Sequence, residues 1–502
     1  MQLVNECRGG GATSERRRVT ILGAGIAGLV AAYELERLGH EVHIFEGSRR
    51  IGGRVWTHRF GSEPGAPFGE LGAMRFPKRH EHLIHYVREL GLGDELRKFT
   101  TIFEDKGAFV SSGGRVSRVA DALESLFQAN CDKFAPLRVS ERTLLLTAWV
   151  QLLVDAVSPG QLRVLLERDL SSHLVSDLES MDLEPFVDLQ TREVRLHDFA
   201  TAHPEFRARL DESLALFFDD VLTETNSDLY RIRGGTDRLI EKLLGSIKCK
   251  IDLNCEVVAL RVRPEGVAIS LRDAHGLQTQ LSDYVLCTIP FSVLRGVTLE
   301  GVDDDKRDII ATTKYCPATK VLFHCARPFW LEAGIRGGGS FSDECARQVY
   351  YPSSSLYPPA PLAGSTESVL LASYTIGRDA EQLQNMSEWA RIEAVRVALS
   401  KFHPELQTPG VLLDATSIAW GSYKWTQGAC AVPWGDGDPA QSGRRFAGVE
   451  PLFLARDRAA RPQGRLFFAG EHCSEKMAWM EGSIESTLRA ARSISQHREA
   501  AL

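Results

Sequence analysis

Residues 18–46 read RVTILGAGIAGLVAAYELERLGHEVHIFE, and this stretch decides the fold. Residues 18–23 are a short apolar run ending at glycine, the pattern of a buried parallel strand. Residues 26–38 carry helical spacing and are closed by Gly39. EVHIFE, 41–46, is a second strand that ends at Glu46. One βαβ unit in about 30 residues opens a doubly wound α/β fold. Gly23, Gly25 and Gly28 form Gly-x-Gly-x-x-Gly at its first turn. Gly23 permits the tight turn, Gly25 lets backbone approach a pyrophosphate, and Gly28 lets helix and strand pack closely. The helix start, with Ala27 in its first turn, turns its positive dipole end to the phosphates. Glu46 lies 18 residues past Gly28, where a carboxylate accepts from ribose hydroxyls.

Outward from this unit, the character of the chain changes several times. From about 116 to 228 helical-period segments dominate, for example 119–130 and 142–156, and read as an insertion. Strand patterns return at 250–260, 283–289, 319–325 and 368–374, then at RLFFAGEH near the end, and a helix over 480–496 closes the fold. There are no internal repeats.

The 502 residues are 43% hydrophobic and 25% charged, ordinary for a globular chain long enough to bury a large core. A net charge of -7 argues against a nucleic-acid partner, which calls for clustered Lys and Arg. Ten cysteines with no Cys-x-x-Cys pair suggest neither a zinc site nor a disulfide framework, so free thiols in a reducing cytoplasm and no metal are expected. The first 18 residues have no apolar signal core, residues 1–13 read as a disordered tail, and no run is long enough to span a membrane.

Residues 50–54, Arg-Ile-Gly-Gly-Arg, can set backbone amides and the Arg54 guanidinium on the same pyrophosphate. This run resembles the Gly-Gly-Arg signature of the flavin amine oxidase family, which includes monoamine, polyamine and L-amino-acid oxidases. The resemblance continues from about residue 18 to 496. GELGAMRFP, 69–77, is similar to the segment that passes beside the flavin and places Gly72, Ala73, Met74 and Arg75 there. RIRGGTDRL, 231–239, is similar to the second glycine pair, and Val257 stands where members hold adenine by backbone contacts. Lys320 corresponds to the lysine that holds a water at flavin N5. Gly470 and Glu471 correspond to the turn whose carboxylate accepts from the cofactor. Met480 and Ser483 open the helix facing the flavin. The resemblance implies FAD, held without a covalent bond and with Gly53 and Arg54 among its contacts.

An amino-acid substrate brings a carboxylate, and a buried carboxylate must be paired; arginine's planar fork does this best. Arg75 lies where L-amino-acid oxidases keep their carboxylate-binding arginine, and Tyr374 corresponds to the tyrosine that gives a second bond. The plain alternative is that Arg75 pairs with Glu70 or Glu63. Ile376, two residues on, shares the strand face of Tyr374, and Trp479, after Ala478, corresponds to an aromatic wall beside the amine. Two departures stand out. Phe218, in LFFDDVL, occupies the neighbourhood where L-amino-acid oxidases often place a helical histidine. Cys430 follows a glycine turn near the flavin-bonding cysteine of monoamine oxidases and reads as a free thiol in the pocket. Asp219, Asp220, Glu224, Tyr423, Trp425 and Trp434 are further pocket candidates, and the lining leans to large apolar or aromatic substrates.

The expected architecture is mixed α/β. A discontinuous, Rossmann-like FAD-binding domain (14–60, 237–316, 440–497) joins a mixed-sheet substrate domain (61–115, 229–236, 317–439) and a helical domain (116–228). The expected reaction is oxidative deamination of an L-amino acid to an imino acid and then a 2-oxo acid, with ammonia and, from O2, hydrogen peroxide. A homodimer is expected from the resemblance. A polyamine or monoamine oxidase, or an oxidase passing its imine to a biosynthetic partner, stays open.

Overall fold

The computed structural model describes residues 1–9, 15–224, 228–353, 367–433 and 452–497. The opening βαβ unit lies at the centre of a five-stranded sheet. Its strands, in order, are Lys250–Asp252, Glu41–Phe45, Arg18–Leu22, Tyr284–Cys287 and Leu466–Phe468, every neighbouring pair parallel. Four of the five residues of Arg18–Leu22 are buried, as a strand covered on both faces requires. Ile26–Arg37 and the closing helix Met480–Gln496 pack on one face, around Leu29, Ile484 and Leu488. The other face meets a second sheet through Leu260, Ile269 and Val285.

The expected strand over 250–260 is two strands. Lys250–Asp252 belongs to the parallel sheet, while Glu256–Arg263 pairs antiparallel with Gly266–Asp273 in a different one. The break is Asn254, whose φ of 58° is left-handed, a conformation asparagine tolerates better than most residues. The Cys255 amide then donates to the carbonyl of Glu46 at 2.9 Å, which ties the break to the end of the second strand.

A seven-stranded mixed sheet forms the other half. Its order is Leu412–Ala419, Ala318–Cys325, Ser368–Ile376, Gln348–Tyr350, Gly339–Ser342, Phe109–Ser112 and Arg115–Arg118. Ala318–Cys325 is buried along its whole length because both faces are covered, Ala318 and Leu322 packing in one apolar cluster and Val321, Phe323 and Cys325 in another. Helices Val119–Phe134, Glu141–Val157, Gly160–Asp169 and Glu212–Glu224 share one apolar core with the inner face of this sheet, including Leu322 and Leu371. None of the helices among the described residues is long and apolar enough to cross a membrane.

The expectation of a disordered tail over 1–13 is corrected for its first part. Gln2–Arg8 is a helix that buries Val4 and Cys7 and packs on the closing helix. Arg8 donates to the buried Glu34 at 2.6 and 2.9 Å, and Tyr86 donates to the same carboxylate at 2.6 Å. A buried carboxylate has to be paired, and this terminal helix supplies the partner.

Candidate functional site

One cavity of about 770 Å³ runs between the two halves, from the carboxyl ends of the parallel strands to the inner face of the seven-stranded sheet. Its size is that of cofactor and ligand sites. At the parallel-sheet end its floor is bare backbone. A Cβ built on Gly28 would lie 1.9 Å from the Gly23 carbonyl oxygen, so glycine is what lets this helix sit on its strand. Gly25 faces the 50–54 loop through a bridge to Gly52, and a Cβ on Gly53 would come within 3.2 Å of the Gly25 Cα. Glu46 closes this end, its carboxylate held by the amides of Ala24 and Ser48, each at 2.8 Å. A helix N-terminus over glycine backbone suits a pyrophosphate, and a fixed carboxylate beside it suits a ribose. The lining thus fits the dinucleotide half of FAD.

The two arginines of the 50–54 loop serve different ends. Arg50 donates to the carbonyls of Ile51 and Val55, each at 3.1 Å, and to that of Gly53, and lies 4.2 Å from the Trp56 ring centroid, so it holds the loop's shape. Arg54 lines the cavity, and its Nη1 donates to Glu471 at 2.7 Å and to the Ala429 carbonyl at 3.0 Å. Glu471 also accepts from the amides of Ala431 at 3.0 Å and Ala478 at 3.1 Å. It therefore knots three segments together where they meet the cavity.

At the other end, Lys320 stands on Ala318–Cys325 directly opposite Tyr374 on Ser368–Ile376. Its Nζ donates to the carbonyls of Gly72 at 2.6 Å and Glu70 at 3.3 Å and lies 4.8 Å from the Tyr374 ring centroid. Burial, and after it the charge of Arg75, push the Lys320 ammonium well below the usual lysine range. Burial raises the Glu70 carboxyl, although the Thr236 amide at 2.7 Å and the Thr57 hydroxyl at 2.8 Å donate to it. Arg75 is buried, with its guanidinium 5.0 Å from the Tyr350 ring centroid and 5.1 Å from that of Phe99. The oxygens of Glu70 accept from the Thr57 hydroxyl and the Thr236 amide. Burial holds the Tyr374 hydroxyl above the ordinary tyrosine range, against the pull of Arg75. Trp479 caps the closing helix with its ring edge-on to His80 at 5.1 Å.

Apart from Gly28, Phe218 and three pocket candidates that lie outside the described residues, every residue that the sequence reading places at cofactor or substrate lines this one cavity. Gly28 acts beneath it, in packing. Phe218 is a correction: it is buried against Phe206 at 5.4 Å, inside the helical core. Phe217 and Asp220 of the same helix reach the cavity instead. Each residue turns a helix by about 100°, so an error of one position changes the face. Tyr423 packs against Trp420 and Trp56 at 5.6 and 6.2 Å. Trp425 packs against Gly47, at the far end from Lys320. Trp434 and the side chains of Asp219 and Glu224 lie outside the described residues. Cys430 lines the cavity opposite Cys316 in a two-stranded ladder. Burial first, then Cys316, push its thiol well up. Trp420, whose Nε1 donates to the Leu71 carbonyl at 2.9 Å, and Gln348 also line the cavity without having been foreseen. Trp420 had a signal, as an aromatic at the end of a strand pattern; Gln348 had none.

The profile of the family "flavin containing amine oxidoreductase" matches residues 26–495. The flavin-dependent L-tryptophan oxidase RebO of Lentzea aerocolonigenes is 45% identical over 485 residues, covering 95% of this chain and 98% of that protein. An L-amino-acid oxidase of Siganus canaliculatus is 30% identical over 492 residues, 95% of this chain and 85% of its own. Among solved structures, putrescine oxidase bound to putrescine superposes with a TM-score of 0.60 at 18% identity, covering 96% of this chain and 99% of that one. Cyclohexylamine oxidase from Brevibacterium oxydans IH-35A does so with a TM-score of 0.60 at 20% identity, with the same coverage. At such identities the superpositions speak for the fold alone. The matched profile spans Gly28, Glu46, the 50–54 loop and the Lys320 end of the cavity together, and the chain belongs to the flavin-containing amine oxidoreductase family.

Proposed function

We propose that this protein oxidises an L-amino acid with a large aromatic side chain, an indole-bearing one foremost, to the imino acid, which water converts to a 2-oxo acid and ammonia. The observation that carries the reading is the meeting of Arg75, Tyr374 and Lys320 at one end of the FAD cavity. An amine without a carboxylate has no use for a buried guanidinium there. The tryptophan oxidase at 45% identity supports the same reading.

FAD, when bound, supplies the acceptor for the hydride leaving the substrate Cα, and O2 carries the electrons on to hydrogen peroxide. The chain's own part is binding and orientation. Arg75 pairs the substrate carboxylate where water is excluded, so the charge-assisted bond is strong. Tyr374, kept protonated by burial, stays a donor to the same group. Fixing the carboxylate at two points orients the Cα–H, and much of the rate follows from that placement. Trp479 forms a wall for the amine. Lys320, with its proton loosened by burial, holds that proton at Nζ between the Gly72 carbonyl and the cavity. The side chain meets Val157, Phe217, Ile376 and Cys430, with Asp220 the acid at that end. The raised Cys430 thiol supports a non-covalent flavin.

A division into an FAD-binding, a substrate-binding and a helical domain belongs to the same reading. So does a reducing, cytoplasmic setting, supported by ten cysteines that are all free. The homodimer rests on family resemblance and is checked by light scattering. The test of function is anaerobic titration of the yellow protein with the twenty L-amino acids, tryptamine and putrescine, following the flavin absorbance. Bleaching by L-tryptophan and other aromatic L-amino acids, reversed by air, is expected. Bleaching by the amines alone moves the protein to the monoamine or polyamine branch.

A further inference from the structure

We propose that Lys424 and Trp425 form a strap that clamps the adenosine half of FAD, closing the cavity from the opposite side of the fold. Residues 420–428 leave the strand Leu412–Ala419 and form a tight loop. Its base is tied by the Gly428 amide to the Trp420 carbonyl at 2.9 Å, and by the Thr426 and Gln427 amides to that of Tyr423 at 3.0 and 2.9 Å. The Ser292 hydroxyl donates to the Thr426 carbonyl at 2.5 Å and docks the loop beside the parallel sheet.

The tip then touches the nucleotide side at two points. The first is Gly47, immediately after the ribose carboxylate Glu46. A Cβ built there would stand 2.3, 2.6 and 3.0 Å from atoms of the Trp425 ring. The ring lies on bare backbone that any side chain would occupy, so this glycine is required for space. The second is Glu256, next to Val257. Lys424 Nζ pairs with it at 3.0 Å and lies 4.4 Å from the Trp425 ring centroid. Gly47, Glu256, Lys424 and Trp425 all line the same cavity as Glu46 and Val257. By the Rossmann rule this is the adenosine end. Lifting the ring off Gly47 and parting Lys424 from Glu256 would open that end. The strap thus governs how fast FAD leaves, at a distance from the reacting groups.

The test uses the holoenzyme and reads FAD release as the rise in flavin fluorescence after dilution, at low and high salt. Trp425→Ala and Gly47→Ala should each release FAD about tenfold or more faster than the parent, the second while retaining the tryptophan. Trp425→Phe should stay within about threefold because a ring remains. Lys424→Met should release faster at low salt and lose the parent's salt dependence. Thermal midpoints of these variants should return to the parent's in saturating FAD. Release within about twofold of the parent for Gly47→Ala and Lys424→Met overturns the proposal, whether or not Trp425→Ala folds. So does a lowered midpoint that saturating FAD leaves lowered, which would mark the ring as ordinary packing.

Discussion

Replacing Arg75 by methionine is the sharpest test of the carboxylate site. Methionine fills similar volume between the Phe99 and Tyr350 rings, so the packing is kept while the guanidinium is removed. The substrate carboxylate then loses its charged partner. Arg75 is only 6% exposed, so little water can replace the lost bonds. Losing one partner of a buried, hydrogen-bonded charge pair costs about 3–5 kcal/mol, which is about 150- to 5,000-fold in kcat/KM for L-tryptophan. Tryptamine has no carboxylate, and its slow turnover should change by less than about threefold. The assay is anaerobic stopped-flow bleaching with both substrates, with the flavin spectrum confirming full FAD occupancy. A second readout follows from charge. Arg75 helps depress Lys320, so its removal lets the lysine pKa rise, and any limb governed by Lys320 moves to higher pH. Equal losses for tryptophan and tryptamine, or no loss for either, would refute the assignment.

Asp220→Asn and Asp220→Ala address side-chain choice: if the carboxylate accepts from an indole N–H, the preference for L-tryptophan over L-phenylalanine should fall about tenfold, with L-phenylalanine kinetics nearly unchanged. Lys320→Met should slow air reoxidation about 100-fold while bleaching by substrate is less affected; in the parent, a step that uses the ammonium should fade as pH rises through a value below the usual lysine range, and the variant should lack that limb. Glu481 is fully buried, which by itself would raise it, but the bond from His82 at 2.7 Å and the Leu83 amide at 2.8 Å hold it down to about 2. A depressed carboxylate stabilises the fold above its unfolded pKa and loses that contribution as pH falls through the folded value. Parent stability should therefore drop by about 3 kcal/mol between about pH 5 and pH 2, and Glu481→Gln should flatten that limb in acid-unfolding curves.

What the sequence alone determined is local. Gly23, Gly25, Gly28 and Glu46 fall within 24 consecutive residues, so the strand–helix–strand unit and its dinucleotide chemistry depend on near neighbours and could be read directly. The strand faces carrying Lys320 and Tyr374, and the helix that begins after Trp479, follow from their periods in the same way. Tertiary structure decided whatever depends on segments meeting across the chain. Arg54 and Glu471, 417 positions apart, turn toward each other, and Glu471 becomes a knot among three segments. The apolar stripe of Glu212–Glu224 did not say which neighbour each face would meet, so Phe217 and Asp220 reach the cavity while Phe218 packs against Phe206. Trp425 could be assigned to the cavity from its surroundings but not to an end of it, because its position depends on the space left by Gly47, 378 residues earlier. Asn254 could have continued a strand; its left-handed turn sends the next strand into a different sheet. Periodicity and motif spacing report which face of an element is apolar, and the partner of that face is settled only when the elements pack.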